Sequence, residues 1–525
     1  MKISALALIW TILLLAACDE DREPSRNLAN ICANPDENDI QGTVIDENKW
    51  IRSWSYETYL WYNELPDIHP AAESDPIAYF HRMKTSAKTA SGRSKDRFHY
   101  TQKTVEPQKD SEGRIYLKNT EKYRRYSAMG YSTGYGLKVL VVRSTPPRQL
   151  LVAHTEPGSP AALRQIGRGA EIIAIDGFDI KNGSTADYNL ALSALFPEKA
   201  DVYHTFVIRD AGKDYNRSAI MKSAEVTESP VISKIIRDEN KKIGYLALNT
   251  FGIDSVEKTL IDTINTFLTK EQQTPQEPSN QNPTDGTNEK NPTPTTATEK
   301  EYLDELVLDL RYNGGGYLDL SAELAGMIAG VNGNNKLYGE IIHNDKRSIE
   351  NVWYTYPTKA WGFSVPADTD LPMLNLQRVY ILSTGNTASA SEYLINGLRG
   401  IDIEVILIGD TTMGKPYGFV PRDNCGTTYF TIQFKGHNSK GFGDYQDGLI
   451  PSAVDDGPKV RGCKVADDLS QALGNTSEKM LATALYYMKN EACPASYQVL
   501  DGEKNRLSKI RGQLLSPFPA EMILR

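Results

Sequence analysis

The sequence predicts a multidomain α+β chain: a small helical N-terminal domain, a β-rich domain and a larger α/β core. Three observations carry this. At 525 residues the chain is too long for one ordinary core and calls for about three folded units. From about Ser127 to Ser223, short apolar runs are separated by Gly, Pro and Asp turns, the pattern of a β-domain. Beyond Val231, strand-like apolar runs alternate with segments of helical period, the pattern of a largely parallel sheet.

The chain opens with an export signal over residues 1–18. Lys2 supplies the positive start, and Ile3 to Leu15 is apolar but too short to span a bilayer in the usual way. Leu15-Ala16-Ala17-Cys18 resembles a bacterial lipobox, in which the cysteine is lipidated and becomes the new N-terminus; the alternative is an ordinary secretory signal with a chance cysteine. The acidic run Asp19-Glu20-Asp21 resembles sequences that route lipoproteins to the cell surface in some bacteria. Residues 19–42 are polar and read as a tether.

Residues 43–126 form the helical N-terminal domain. From Glu47 to about Thr104 the pattern is helical, and Trp50, Trp54, Tyr59 and Leu60 give an aromatic-rich apolar face. Ser74-Asp75-Pro76 starts a second helix carrying Ile77, Tyr79, Phe80 and Met83. Aromatics at this spacing belong to a core more often than to a ligand cage. His69, His81 and His99 are isolated and read as surface or packing residues.

Residues 127–228 form the β-rich domain. Gly134-Tyr135-Gly136-Leu137 precedes the strand-like run Val139 to Val142, and Leu151 to His154 is a second strand candidate. Glu156-Pro157-Gly158-Ser159-Pro160-Ala161-Ala162 turns into a short helix, and Arg168 to Gly177 reads as turn, strand, turn. This order resembles a PDZ domain. The resemblance implies that an extended peptide adds to a sheet edge, with Gly134, Tyr135, Gly136 and Leu137 as the peptide-binding loop. A small structural β-domain is the alternative.

Residues 229–492 form the core. Ile243 to Phe251 is strand-like, and Ser255 to Leu268 is an amphipathic helix with Val256, Leu260, Ile261, Ile264 and Phe267 on one face. Residues 271–298 hold Pro, Asn, Thr, Gln and Glu with no large apolar side chain, the composition of a disordered insertion. Leu306 to Leu310 is a buried strand, Arg311 to Gly316 a glycine-rich loop, and Leu318 to Ile328 a helix. Thr427 to Phe434 is a strand, and Asp468 to Asn490 a helix. Residues 493–525 are a tail without a readable pattern.

The chemistry concentrates between Val379 and Val420. Small residues Thr387-Ala388-Ser389-Ala390-Ser391 follow one apolar run, and Lys415 follows another, in a Gly-Lys-Pro turn. A serine at a helix start exposes its hydroxyl beside amides that can hold negative charge. No histidine lies in the stretch, so Lys415 is the candidate base, since burial favours the neutral amine. The 26 positions from Ser389 to Lys415 leave room for a helix, a strand and a turn that bring the chain back.

Ser389-Ala390-Ser391-Glu392 after a strand, then Gly409-Asp410-Thr411-Thr412-Met413-Gly414-Lys415, resembles the C-terminal processing peptidases, or tail-specific proteases. Leu308-Asp309-Leu310-Arg311-Tyr312-Asn313-Gly314-Gly315-Gly316 is similar to a second motif of that family. The resemblance implies a crotonase-like (ClpP/crotonase) sheet in the core and a serine-lysine dyad. Ser389 then matches the nucleophile, with Ser391 the lesser candidate, and Lys415 matches the base. It also implies an oxyanion hole from Gly315 or Gly316 with Ala390. Two positions depart from the family: Pro416 follows the lysine, and Phe419 stands where a residue that orients the lysine is expected. Glu392 and Asp410 are alternative orienting groups.

The implied protein is a serine endopeptidase of the bacterial cell envelope, lipid-anchored through Cys18 at the outer membrane. It would bind peptide or unfolded-protein C-termini through the PDZ-like domain and cleave through an acyl-enzyme. A catalytically impaired peptide-binding scaffold and a surface polymer-capture lipoprotein are the other readings. A net charge of −9 gives no basic excess to suggest a nucleic-acid partner. Cysteine and histidine spacings fit no metal site, and no cofactor is implied. Export permits disulfides among Cys32, Cys425, Cys463 and Cys493. Cys425 with Cys463 is the expected pair, because both lie in the turn-rich segment beyond Lys415.

Overall fold

The computed structural model describes residues 23–104, 107–109, 115–117, 125–126, 131–197, 199–269, 301–495, 512–515 and 521–523. The export signal with Cys18 and the insertion expected at 271–298 lie outside these residues. The chain divides into two compact units. The first draws on Met1–Thr120, Ile341–Val352 and Tyr417–Gly436, and the second on Glu121–Glu340, Trp353–Pro416 and His437–Arg525.

In the first unit, helix Val44–Thr58 starts at Thr43, which forms a capping box with Asp46. Trp50 and Trp54 are one turn apart, so they share a face, and their rings stack at 5.3 Å. They meet Tyr429, and Trp54 meets Phe80 of helix Pro76–Arg82. The aromatic stripe is therefore core. His99 is also inside, its ring stacked 3.7 Å from that of Phe80. The helical pattern ends earlier than expected. Tyr100–Lys103 is a strand paired antiparallel with Thr427–Phe430.

Residues 23–42, expected as a tether, are folded from Glu23 onward. Leu28 is buried, and Cys32 forms a disulfide with Cys425 at a Cα–Cα distance of 5.4 Å. A few anchoring side chains hold a stretch whose average composition is polar. The second disulfide is Cys463–Cys493, so the expected Cys425–Cys463 pair is wrong. Cys463 lies on strand Lys459–Lys464, whose sheet face is covered by helix Lys479–Asn490, and that helix returns Cys493 to the strand. Sheet packing set the pairing, which local turn content does not report. The helix itself begins at Lys479 rather than Asp468, since Gly474-Asn475-Thr476-Ser477 forms a turn and Glu478 caps the first helical amides.

In the second unit, the β-rich domain is an antiparallel sheet. Its order is Arg217–Lys222, Tyr203–Arg209, Glu171–Ile175, Gln149–Thr155, Leu137–Arg143, then Gln513–Leu515 from the far end of the chain. Val139, Leu150, Val152, Ile172, Phe206 and Ile208 fill its core.

The larger sheet runs in the order Val231–Asp238, Lys241–Leu248, Glu305–Asp309, Arg378–Ser383, Glu404–Gly409, Lys459–Lys464, Ile450–Ser452. Only the first pair is antiparallel. Its central strands are buried on both faces, as expected of parallel strands that read as unbroken apolar runs. Alternate residues Tyr245, Val307, Tyr380, Leu382, Ile406 and Ile408 face helix Lys479–Asn490. Helices Ser255–Phe267 and Leu318–Ala329 lie close to their expected bounds, and helix Ala390–Gly400 follows Ser389, where a helix start was expected.

Candidate active site

Strands Glu305–Asp309, Arg378–Ser383 and Glu404–Gly409 are neighbours and parallel, so their carboxyl ends open on one edge of the sheet. The loops that leave them carry Arg311–Gly316, Ser389 and Lys415. Open parallel sheets place ligands at this edge. The topology thus explains why three motifs distant in sequence meet.

The loops are stitched together. Thr387 Oγ1 donates to the Leu310 carbonyl at 2.8 Å, and the Ala388 amide to the Asn313 carbonyl at 3.0 Å. The Met413 amide donates to the Thr387 carbonyl at 2.9 Å. Gly414, at φ +84°, lets its turn press on the 446–448 backbone, since a Cβ there would lie 2.4 Å from the Gln446 carbonyl oxygen.

Ser389 precedes helix Ala390–Gly400 with φ 62° and ψ −118°. A non-glycine residue there carries about 1–3 kcal/mol of strain, which the surrounding fold must hold. Its side chain is buried, and its Oγ has no hydrogen-bond partner among the described residues. Ser391 differs: its hydroxyl is spent on the Asn313 carbonyl at 3.1 Å. Lys415 is fully buried.

Glu392 joins the two candidates. Its Oε2 accepts the Ser389 amide and the Lys415 amide, each at 2.8 Å, so those nitrogens are no more than twice that distance apart. Its Oε1 accepts the Gly414 amide at 2.7 Å and the Thr412 hydroxyl. Burial pushes the Glu392 carboxyl above its usual range, against these four bonds, which favour the charged form. The signal for Glu392 was in the sequence, in the spacing Ser-x-x-Glu at a helix start. Asp410, the other alternative, turns its carboxylate to the Thr411 amide at 2.8 Å. Phe419 belongs to the first unit, where its ring packs against Tyr100 and Phe430.

In the glycine-rich loop, the Gly315 amide donates to Asn313 Oδ1 at 2.9 Å. Gly315–Tyr317 is a short strand. Phe251 accepts from the Tyr317 amide and donates to the Gly315 carbonyl on one side. Backbone groups alternate along a strand, so the Gly316 N–H and C=O face the other side. Gly316, at φ +133°, allows the close approach, since a Cβ would lie 2.2 Å from Gly252 N. Ala390 opens the helix, and its amide has no partner within the helix.

Behind the loop, Arg311 is buried among Asp309, Asp467 and Glu478. Burial opposes its charge, but the three carboxylates outweigh this and hold it charged. Arg168, from the β-rich domain, also binds Asp467, at 2.6 Å. Burial pushes the Asp467 carboxyl up, but Arg168 and Arg311 hold it below the ordinary range. The network fixes Arg311–Gly316; Asp467 was not singled out in sequence, and Arg168 was read there only as part of a turn.

In the β-rich domain, the loop Gly134–Leu137 is tied to the turn after Gln149–Thr155. The Glu156 amide donates to the Gly136 carbonyl at 2.8 Å, and the Ala161 amide to the Tyr135 carbonyl at 3.1 Å.

Residues 242–423 match Peptidase family S41, and residues 46–100 match the Peptidase S41 N-terminal domain. A carboxyl-terminal-processing protease of Picosynechococcus sp. is 24% identical over 301 residues, covering 57% of this chain. The chain spans about 58% of that relative's length. A putative S41 protease from Bacteroides fragilis shares the fold, with a TM-score of 0.57 at 22% identity over 84% of this chain and 97% of its own. The PDZ domain of a carboxy-terminal protease from Vibrio cholerae, solved with a peptide, aligns with 18% of this chain and 97% of its own, at 19% identity and a TM-score of 0.15.

Proposed function

We propose that this chain is a serine-type peptidase that takes peptide or unfolded-protein C-termini, with Ser389 as nucleophile and Lys415 as base. The observation that carries this is the shared Glu392 oxygen, which pins the Ser389 and Lys415 backbones beside each other while the Ser389 hydroxyl stays unpartnered among the described residues. Lys415, uncharged, takes the proton from Ser389 Oγ, and Oγ attacks the peptide carbonyl. The Gly316 and Ala390 amides hold the oxyanion, since the Gly315 amide already serves Asn313. The leaving amine takes the proton from Lys415, and water then releases the acyl group from Ser389. Glu392 takes the place of the missing orienting residue, acting on the Lys415 backbone rather than on its amine. The largely parallel sheet suits a crotonase-like core. The β-rich domain acts as a PDZ-like peptide binder, and lipidation of Cys18 anchors the protein in the bacterial envelope, at the outer membrane.

A serine-reactive phosphonate or sulfonyl probe on purified full-length protein tests the dyad. Labelling is expected, with loss in Ser389→Ala and in Lys415→Ala. Full hydrolysis of an unfolded protein substrate by both variants overturns it. Phe419 favours a second reading, a peptide binder without turnover, which peptide binding in the absence of labelling would support.

A further inference from the structure

Two strands near the end of the sequence pair with the two segments to which the proposed function assigns peptide binding and the oxyanion. Gln513–Leu515 pairs antiparallel with Leu137–Arg143, placing Leu515 opposite Val139 and Gln513 opposite Val141. It therefore extends the sheet by the strand that follows the Gly134–Leu137 loop, and it runs toward that loop. Adding an extended peptide to a sheet edge is a general mode of peptide recognition. Glu521–Ile523 pairs parallel with Gly315–Tyr317, with Met522 opposite Gly316. That is the edge toward which the Gly316 N–H points.

Asn386, three residues before Ser389, holds the first of these strands. Its Nδ2 donates to the Gly512 carbonyl at 2.8 Å, and its Oδ1 accepts the Leu514 amide at 2.7 Å. One side-chain amide thus stands in for a neighbouring strand and reads backbone, whatever the side chains. The side chains are read by packing. Leu514 packs against Leu140, Leu151, Ala153, Tyr312 and Leu469, and Leu515 against the core of the β-rich domain. At Gly512 a Cβ would lie 2.9 Å from Leu140 Cβ, so a small residue belongs there.

We propose that the chain's own residues 512–515 and 521–523 occupy the substrate groove and restrain the enzyme, so that a substrate must displace them. The groove takes an extended peptide with a small residue followed, two and three positions on, by two adjacent apolar side chains. This rests on the peptidase reading for its effect on turnover, but not for occupancy. A tethered strand acts at an effective concentration on the order of 1 mM, so one binding at about 100 μM in trans keeps the groove roughly nine-tenths filled.

The test uses the full chain and a fluorescein-labelled peptide of residues 510–523. Leu514→Asp with Leu515→Asp removes both apolar anchors of the tail. Gly512→Val, which clashes with Leu140, is a second variant that leaves both leucines in place. Both carry the rest of the sequence unchanged. Each is expected to bind the peptide at least tenfold more tightly than the wild type, and to hydrolyse an unfolded protein with kcat/KM at least tenfold higher. Equal peptide affinity and equal turnover in all three chains overturn the proposal. If none of the chains hydrolyses the substrate, the peptidase reading fails, and the affinity difference still decides occupancy.

Discussion

Glu392→Gln separates a positioning role from a merely packed carboxyl. Glu392 Oε1 accepts from Gly414 and Thr412, and Oε2 accepts from Ser389 and Lys415. A glutamine keeps one acceptor oxygen. Whichever way its amide lies, an NH2 group faces two donors, one pair or the other. Each buried donor left without an acceptor costs about 1–3 kcal/mol, which gives roughly 2–6 kcal/mol for the pair. Burial already pushes the Glu392 carboxyl up, so a neutral replacement recovers part of this. The expected loss of unfolding free energy is about 3 kcal/mol. The activity loss is larger than stability alone requires, because in either orientation the side chain no longer ties all four groups at once, and the turn carrying Gly414 and Lys415 shifts against Ser389. A displacement of about 1 Å lowers kcat on the order of 100-fold. The assay is kcat on an unfolded protein substrate at a temperature where urea titration shows the variant fully folded. Thr412→Val, which keeps the carboxylate but removes a hydroxyl that donates to Glu392 and accepts the Leu449 amide, is the comparison and loses about 1–3 kcal/mol. If Glu392→Gln keeps wild-type kcat and unfolds within about 0.5 kcal/mol of the wild type, Glu392 does not hold the pair.

Further outcomes concern strain, pairing and pH. Ser389→Gly abolishes hydrolysis while raising unfolding free energy by about 1 kcal/mol, because relief of the φ 62° strain exceeds the added chain entropy; a stability loss measured by urea titration would contradict this. Replacing Cys463 and Cys493 by serine opens a loop of 30 residues and lowers stability by about 3–4 kcal/mol, whereas an unchanged Tm would refute the pairing. Burial lowers the His99 pKa from 6.5 to about 4, despite Asp96 nearby. The unfolded chain then binds the extra proton between those values, so stability is full above pH 6.5 and falls as pH drops toward 4. The fall attributable to His99 is on the order of 3 kcal/mol, and His99→Gln flattens it in urea titrations across that window.

What the sequence made legible was periodic or local. The parallel core showed as unbroken apolar strands, and helix Ser255–Phe267 showed in its one-sided apolar face. Ser389 and Lys415 stood out because small residues and a lysine follow such strands. Long-range pairing left no local trace. Cys493 reaches Cys463 only because a helix folds back over the sheet, and Cys32 reaches Cys425 across 393 positions. Asn386 and Gln513–Leu515 escaped for the same reason: an asparagine in a turn and two leucines in a tail become a clamp and its strand only when the strand pairs with a distant sheet edge. Glu392 was visible as a helix-start residue, but its reach to Lys415 depends on where the second strand ends.

The aspartate shared by two arginines bears on modularity. Asp467 is buried with Arg168 from one domain and Arg311 from the other. A fragment starting at Val231 would strand that carboxylate beside Asp309 and Glu478 with a single guanidinium left among the three. Excising the β-rich domain is therefore not neutral surgery, and recombining it with a foreign core would need a cation returned to the same spot.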